Sequence, residues 1–241
     1  MDDVNDPPPR FNSGQPFGLP AATPQGHIPH EEPRLGSWPF KAIWFNPRDT
    51  IRLIVNTNPE LHVNLLIILA GIAESLDRAS SKNAGDKISS GMLFLMICVI
   101  GPGMSLIGAW IYTHLIRIAG NWLGGRGVYD EIKASIGWSS VPTIVILLLW
   151  VPLLILFGKE MFTEEMPSVA GKPGLATALL AISLAQLVLG IWALVLLCNT
   201  IAEVQEYRSA WKALGNLILA GLIIIIPILV IAFGIMALKG A

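Results

Sequence analysis

The chain has 241 residues, 53% of them hydrophobic and only 14% charged, with a mean hydropathy of +0.61 and a formal net charge of −1. A soluble domain carries roughly 25% charged residues, so this composition excludes a surface that faces water on every side. The near-neutral charge excludes a basic nucleic-acid-binding field. Two cysteines, Cys98 and Cys198, sit inside apolar stretches and read as small buried hydrophobes rather than a disulfide framework.

Residues 1–38 contain Pro7, Pro8, Pro9, Pro16, Pro20, Pro24, Pro29 and Pro33 with almost no aliphatic periodicity. Such a segment cannot bury enough apolar surface to offset its ordering entropy, and it is expected to be a disordered cytosolic tail. It lacks the basic and apolar regions of a cleavable signal peptide, so the first span should direct insertion. His27 and His30 beside Glu31 and Glu32 read as solvated tail residues, and no metal site is expected.

Residues 39–241 are expected to form one all-α domain, a polytopic transmembrane bundle of five spans behind an interfacial amphipathic helix. Asn46-Pro47-Arg48-Asp49 has the form of a helix start: a capping Asn, a Pro suited to the first helical position and an acid facing the dipole. The helix it opens places Ile51, Ile54 and Val55 on one side and Arg48, Arg52 and Asn56 elsewhere. It is short with a wet face, which suits the interface, anchored by Trp38, Trp44 and Phe45.

Asn58-Pro59-Glu60 repeats the start signal. The spans that follow are expected at about 61–79, 88–117, 140–157, 175–203 and 211–238. The first is mostly apolar but includes His62, Asn64 and Glu74. The second should kink at Gly101-Pro102-Gly103, and its Gly101, Ser105 and Ala109 form a small-residue stripe that permits close helix approach. A loop, Asn121 to Gly127, leads to a short amphipathic piece, Tyr129 to Ile136. The third span holds Pro142 and Pro152, the fourth carries Thr177, Ala181 and Ala185 as a second small stripe, and the fifth holds Gly221 and Pro227. Trp110, Trp138, Trp150 and Trp211 fall near span ends, in the manner of interfacial belts.

Orientation follows from the Lys and Arg count. With the N-terminus inside, the inner segments hold Arg34, Lys41, Arg48, Arg52, Arg117, Arg126, Lys133, Arg208 and Lys212, nine in all. The outer segments hold Arg78, Lys82, Lys87, Lys159, Lys172 and Lys239, six in all. The excess favours a cytoplasmic N-terminus and an external C-terminus.

The opening Trp44 to Arg52 (WFNPRDTIR), the long second span, the Leu123-Gly124-Gly125 loop with its amphipathic sequel, and Pro142 at the third span together resemble the Yip1 family of five-span membrane proteins, in its prokaryotic branch. The resemblance covers roughly residues 42–238. It implies an integral protein of a prokaryotic inner or plasma membrane. By analogy with eukaryotic members, which engage Rab-type GTPases in vesicle traffic, it also implies a scaffold or adaptor role. The eukaryotic Asp-Leu-Tyr-Gly-Pro signature is absent, and Phe-Asn-Pro-Arg stands in that region.

Ionisable groups within a bilayer are default functional candidates. In the inside-N arrangement polar residues crowd the cytosolic face, where Asn46, Pro47, Arg48, Arg52, Arg117, Arg126, Glu203 and Arg208 are candidates for binding a partner protein or lipid headgroups. The plainer alternative is that the arginines snorkel and that Glu203 pairs with one of them inside the chain. Glu74 stands four residues before Arg78, the spacing of a helix-surface ion pair. Glu74, Ser105 and Gln186 are the candidates for an alternative function, a small transporter or channel using the kinked second span. No phosphate-binding loop, zinc-protease pair or nucleophile elbow is present, so no enzymatic activity and no cofactor are expected. The expected partners are the lipid bilayer, other membrane or cytosolic proteins, or further copies of the chain, with no nucleic acid.

Overall fold

Proline and asparagine punctuation divides the start of the ordered chain into two short helices before the first long one. The computed structural model describes residues 39–240; the tail expected over 1–38, with His27 and His30, lies outside the described residues. Helix α1 is Pro39–Phe45 and α2 is Pro47–Thr57. Asn46 takes the N-cap position of α2, with Pro47 in the first turn. Its side chain makes no capping bond; its carbonyl instead accepts Thr50 Oγ1 at 2.7 Å. Ile51 and Ile54 of α2 are buried with Ile43 of α1 in the main core, so this helix rests its apolar side on protein.

The next turn is fixed by Asn58, whose Oδ1 accepts the Glu60 N–H at 3.1 Å. Helix α3 then runs Val63–Ser81, entered through His62 in the left-handed conformation (φ 55°). It is followed by α4 (Ser90–Leu95), a π-turn over Met96–Ile100 and α5 (Gly101–Trp122). The kink expected at Gly101-Pro102-Gly103 takes the form of that π-turn. A proline ring clashes with the carbonyl four residues back, here that of Cys98, and widening the preceding turn accommodates it. The Gly101 N–H accordingly reaches back five residues to Met96 O.

After a glycine-rich connection come α6 (Tyr129–Ser139), α7 (Val141–Phe157), a 3₁₀ turn over Gly158–Phe162, α8 (Pro173–Val204) and α9 (Ala210–Gly240). Among the described residues there are no strands. Four stretches among the described residues are long and apolar enough to cross a membrane: Ser90–Trp122, Tyr129–Phe162, Pro173–Val204 and Ala210–Ala232. The remaining expected crossing falls on α3, whose Glu74, Asp77 and Arg78 keep it out of that set.

Helices α3 and α5 pack antiparallel. Gly71 lies against Ser105, and Gly101 lies against Ser75. Each helix thus contributes a glycine and, one turn on, a serine, so that each hydroxyl fits the space left by the opposite glycine. The α6–α7 rod runs alongside α3: Trp138 Nε1 donates to Leu61 O at 3.2 Å, and Trp150 Nε1 donates to Asp77 Oδ1 at 2.9 Å. Both tryptophans are buried, in contrast to the interfacial belt expected from their sequence positions. Each indole N–H has found an acceptor inside the bundle, which removes the need for water. The amphipathic piece expected after Tyr129 is the start of helix α6, and its apolar side is core: Ile132, Ala134 and Trp138 are fully buried.

Two apolar clusters result. One joins α2, α6 and the facing ends of α3, α5, α8 and α9; the other joins the far end of α3, α7 and the turn at Phe162. The outer surfaces of α8 and α9 stay apolar, with Leu184, Leu187, Val188, Ile191, Ile225, Ile228 and Val230 all exposed. A patch of that extent is unsustainable in water and is the surface a bilayer covers.

Candidate functional site

Helices α5 and α8 end side by side, and both end by the same backbone device. In α5 the Gly125 N–H donates to Gly120 O at 2.7 Å and the Gly124 N–H to Asn121 O at 3.2 Å, with Gly124 left-handed (φ 74°). This is a Schellman closure, and it explains why Leu123-Gly124-Gly125 stands there. In α8 the Tyr207 N–H donates to Ala202 O at 2.7 Å and the Glu206 N–H to Glu203 O at 3.0 Å. Here the left-handed position (φ 57°) is held by Glu206, where glycine is the ordinary choice, at a cost of about 1 kcal/mol.

The two ends are locked by a buried amide. Gln205 is 1% exposed; its Oε1 accepts the Gly127 N–H at 3.0 Å and its Nε2 reaches Ile116 O at 3.5 Å. A methyl group on Gly120 or Gly125 would collide with this amide, so those glycines make the space that it fills. The Tyr207 hydroxyl donates to Gly120 O at 3.3 Å and accepts Asn216 Nδ2 from α9 at 3.4 Å. Burial pushes the Tyr207 phenol above its ordinary pKa, against the opposing effect of the Asn216 hydrogen bond. The sequence places Tyr207 among the polar residues at the cytosolic end of the fourth span but gives no role to Gln205 or Asn216, although the three glycines that surround Gln205 are a visible sign of a close approach.

Around this lock lie most of the charged candidates. Arg48 and Arg52, one turn apart on α2, meet Asn199 and Glu203, one turn apart on α8. Arg48 Nε donates to Asn199 Oδ1 at 3.4 Å, and Arg52 forms an ion pair with Glu203. Glu203 is largely buried beneath the arginine, with only 12% of its side chain exposed. Arg126, in the α5–α6 connection, pairs with Glu206 at 3.5 Å, both exposed. Lys212 sits 4.6 Å above the Tyr207 ring. Arg117 and Arg208 are exposed and, among the described residues, make no ion pair. Asn46 and Pro47 act at the start of α2 and shape that helix.

The other candidates are apart from this end. Glu74 pairs with Arg78 at 3.1 Å on the surface of α3. Ser105 donates to Ile67 O at 3.1 Å and Pro102 O at 2.8 Å. Both residues line a cavity between α3 and α5. Gln186 is not among the lining residues; it shares a face of α8 with Ile182 and Leu189, which pack on the cluster around Trp150. Its buried Nε2 has no hydrogen-bond partner among the described residues. No cluster of three or more potential metal ligands occurs among the described residues.

A family model for the Yip1 domain matches residues 41–232, from α1 into α9. No curated protein and no solved structure matches the chain.

Proposed function

Since the chain belongs to the Yip1 domain family, we propose that this integral membrane protein is a non-enzymatic scaffold or adaptor that docks a partner protein on the locked end of the bundle. One observation carries the reading: the α5–α6 and α8–α9 connections are held together by the Gln205 amide, α2 is tied beside them through Arg48 and Arg52, and Arg117 and Arg208 stay on the surface with no ion pair among the described residues. A rigid end bearing unneutralised arginines suits an acidic protein surface. Arg48 and Arg52 are spent on Asn199 and Glu203, so their part is to fix α2.

In this reading α3 is a fifth crossing. Its 19 residues rise about 28 Å, close to the ~30 Å hydrocarbon core. Its charges gather in the last two turns, where Glu74 and Arg78 pair and Asp77 accepts Trp150. The excess of Lys and Arg at the docking end makes it cytosolic, with the C-terminus outside, in a prokaryotic inner or plasma membrane. Solute transport is the weaker alternative. Glu74 and Ser105 share a cavity, but their polar atoms are engaged within the chain and Gln186 is elsewhere.

The test is crosslinking in native membranes from photoreactive residues at 117 and 208, read by mass spectrometry. A partner recovered from both sites and lost on Arg117→Glu with Arg208→Glu supports the scaffold. Recovery unchanged by the double charge reversal, or solute flux through reconstituted vesicles, refutes it. Cysteine labelling tests the crossings: termini on the same side of the membrane would remove the fifth.

A further inference from the structure

A cavity of about 810 Å³ follows the seam between α3 and α5, and none of the docking end's ion-paired residues lines it. Its character changes along its length. Most of the lining is apolar, with Ile67, Ile97, Ile100 and Met104 among its walls, whereas Glu74, Arg78 and Lys82 stand together at one end. Met96, Ile100, Met104 and Ile111 on its rim are exposed, so the recess opens sideways onto the surface that lipid covers in a spanning bundle. We propose that this groove holds an acyl chain of an anionic glycerophospholipid, with Arg78 and Lys82 binding the headgroup phosphate.

Charge, length and wall chemistry each support that occupant. Glu74 neutralises one cation, since it pairs with Arg78, and Lys82 leaves the mouth with a net positive charge that a phosphate complements. Ile67 and Lys82 lie fifteen positions apart on α3, about 22 Å at 1.5 Å per residue. One leaflet of a ~30 Å core occupies about 15 Å, so a single chain fits along the groove with its head at the basic end. Methionine side chains adapt their shape to a flexible occupant. A second copy is a poorer fit, because a two-fold axis along the membrane normal would bring the two basic mouths together at the same depth. The site is independent of the docking reading, since it uses neither the locked end nor its arginines.

Gly108 lines the groove, and a Cβ placed there meets nothing within 4 Å. Gly108→Leu therefore starts its side chain from open space and fills the groove with it. Gly221, equally open but outside the groove, gives a matched control as Gly221→Leu. The full chain in detergent is titrated with dioleoyl phosphatidylglycerol and with dioleoyl phosphatidylcholine, and bound lipid is counted by native mass spectrometry. One phosphatidylglycerol per chain should bind to the unaltered protein and to Gly221→Leu, and be lost in Gly108→Leu. Arg78→Gln with Lys82→Gln should lower the preference for the anionic lipid about thirtyfold, from about 1 kcal/mol per basic residue. Equal binding of both lipids by the unaltered protein overturns the headgroup assignment. Undiminished binding in Gly108→Leu overturns the groove, and a dimer that Gly108→Leu converts to monomer shows that a second copy is the occupant instead.

Discussion

Gln205 Oε1 accepts the backbone N–H of Gly127 at 3.0 Å, across 78 residues of chain. The bond ties the turn that closes α8 to the turn that follows α5, at a place where a side chain is fully buried and a glycine has no side chain to contribute. Through Tyr207 and Asn216 the same tie extends to α9. Three helices are thereby held at fixed separation beneath the arginines proposed to dock a partner.

Gln205→Leu should lower stability by about 1–3 kcal/mol, because it leaves the buried Gly127 N–H without an acceptor. Thermal unfolding in detergent measures this. Gly120→Ala should fall in the same range, since the added methyl meets the Gln205 amide. If both variants melt with the parent chain, the lock contributes nothing.

Arg52 and Glu203 are unequally exposed, 68% against 12% for their side chains. Removing the arginine strands a mostly buried carboxylate, whereas removing the glutamate frees a cation that water already reaches. Arg52→Ala is therefore expected to be the more destabilising of the two single changes, with a coupling of about 1 kcal/mol in the double-mutant cycle. The opposite order of melting temperatures would count against the pair as described.

Gly101→Ala places a methyl in the space that Ser75 occupies. Overpacking of this kind costs about 1–3 kcal/mol, here along the α3–α5 seam. Ser75→Gly in the same chain should restore much of the loss by removing the colliding hydroxymethyl. The check is the pair of unfolding curves: absence of rescue would place the strain elsewhere.

Tyr207 supplies a pH test. Burial raises its folded pKa above the ordinary value of 10.0, so below pH 10 both states hold the proton and the stability it contributes is complete. As pH climbs above 10 the unfolded chain loses its proton first, and stability falls until the folded phenol has also ionised. Tyr207→Phe should be less stable at neutral pH, through loss of the bond to Gly120 O, yet show a shallower decline than the parent as pH rises above 10. Parallel declines would mean that the phenol is not buried.

Hydropathy and punctuation fix the helices from the chain alone. The stretches expected at 140–157 and 175–203 appear as Val141–Phe157 and Pro173–Val204, because the bilayer length and the breaking residues act locally. The pairing of Glu74 with Arg78 is equally legible, being one helical turn apart. What only tertiary structure decided is which side of each rod meets protein. Helices α7, α8 and α9 are apolar all round, and lipid is as apolar as a neighbouring helix, so no stripe marks the packed face. That is why Trp138 and Trp150 look interfacial in sequence yet lie in the core, and why Gln205 looks like a loop residue yet is buried. Arg52 and Glu203 are 151 positions apart, and nothing short of folding brings them together.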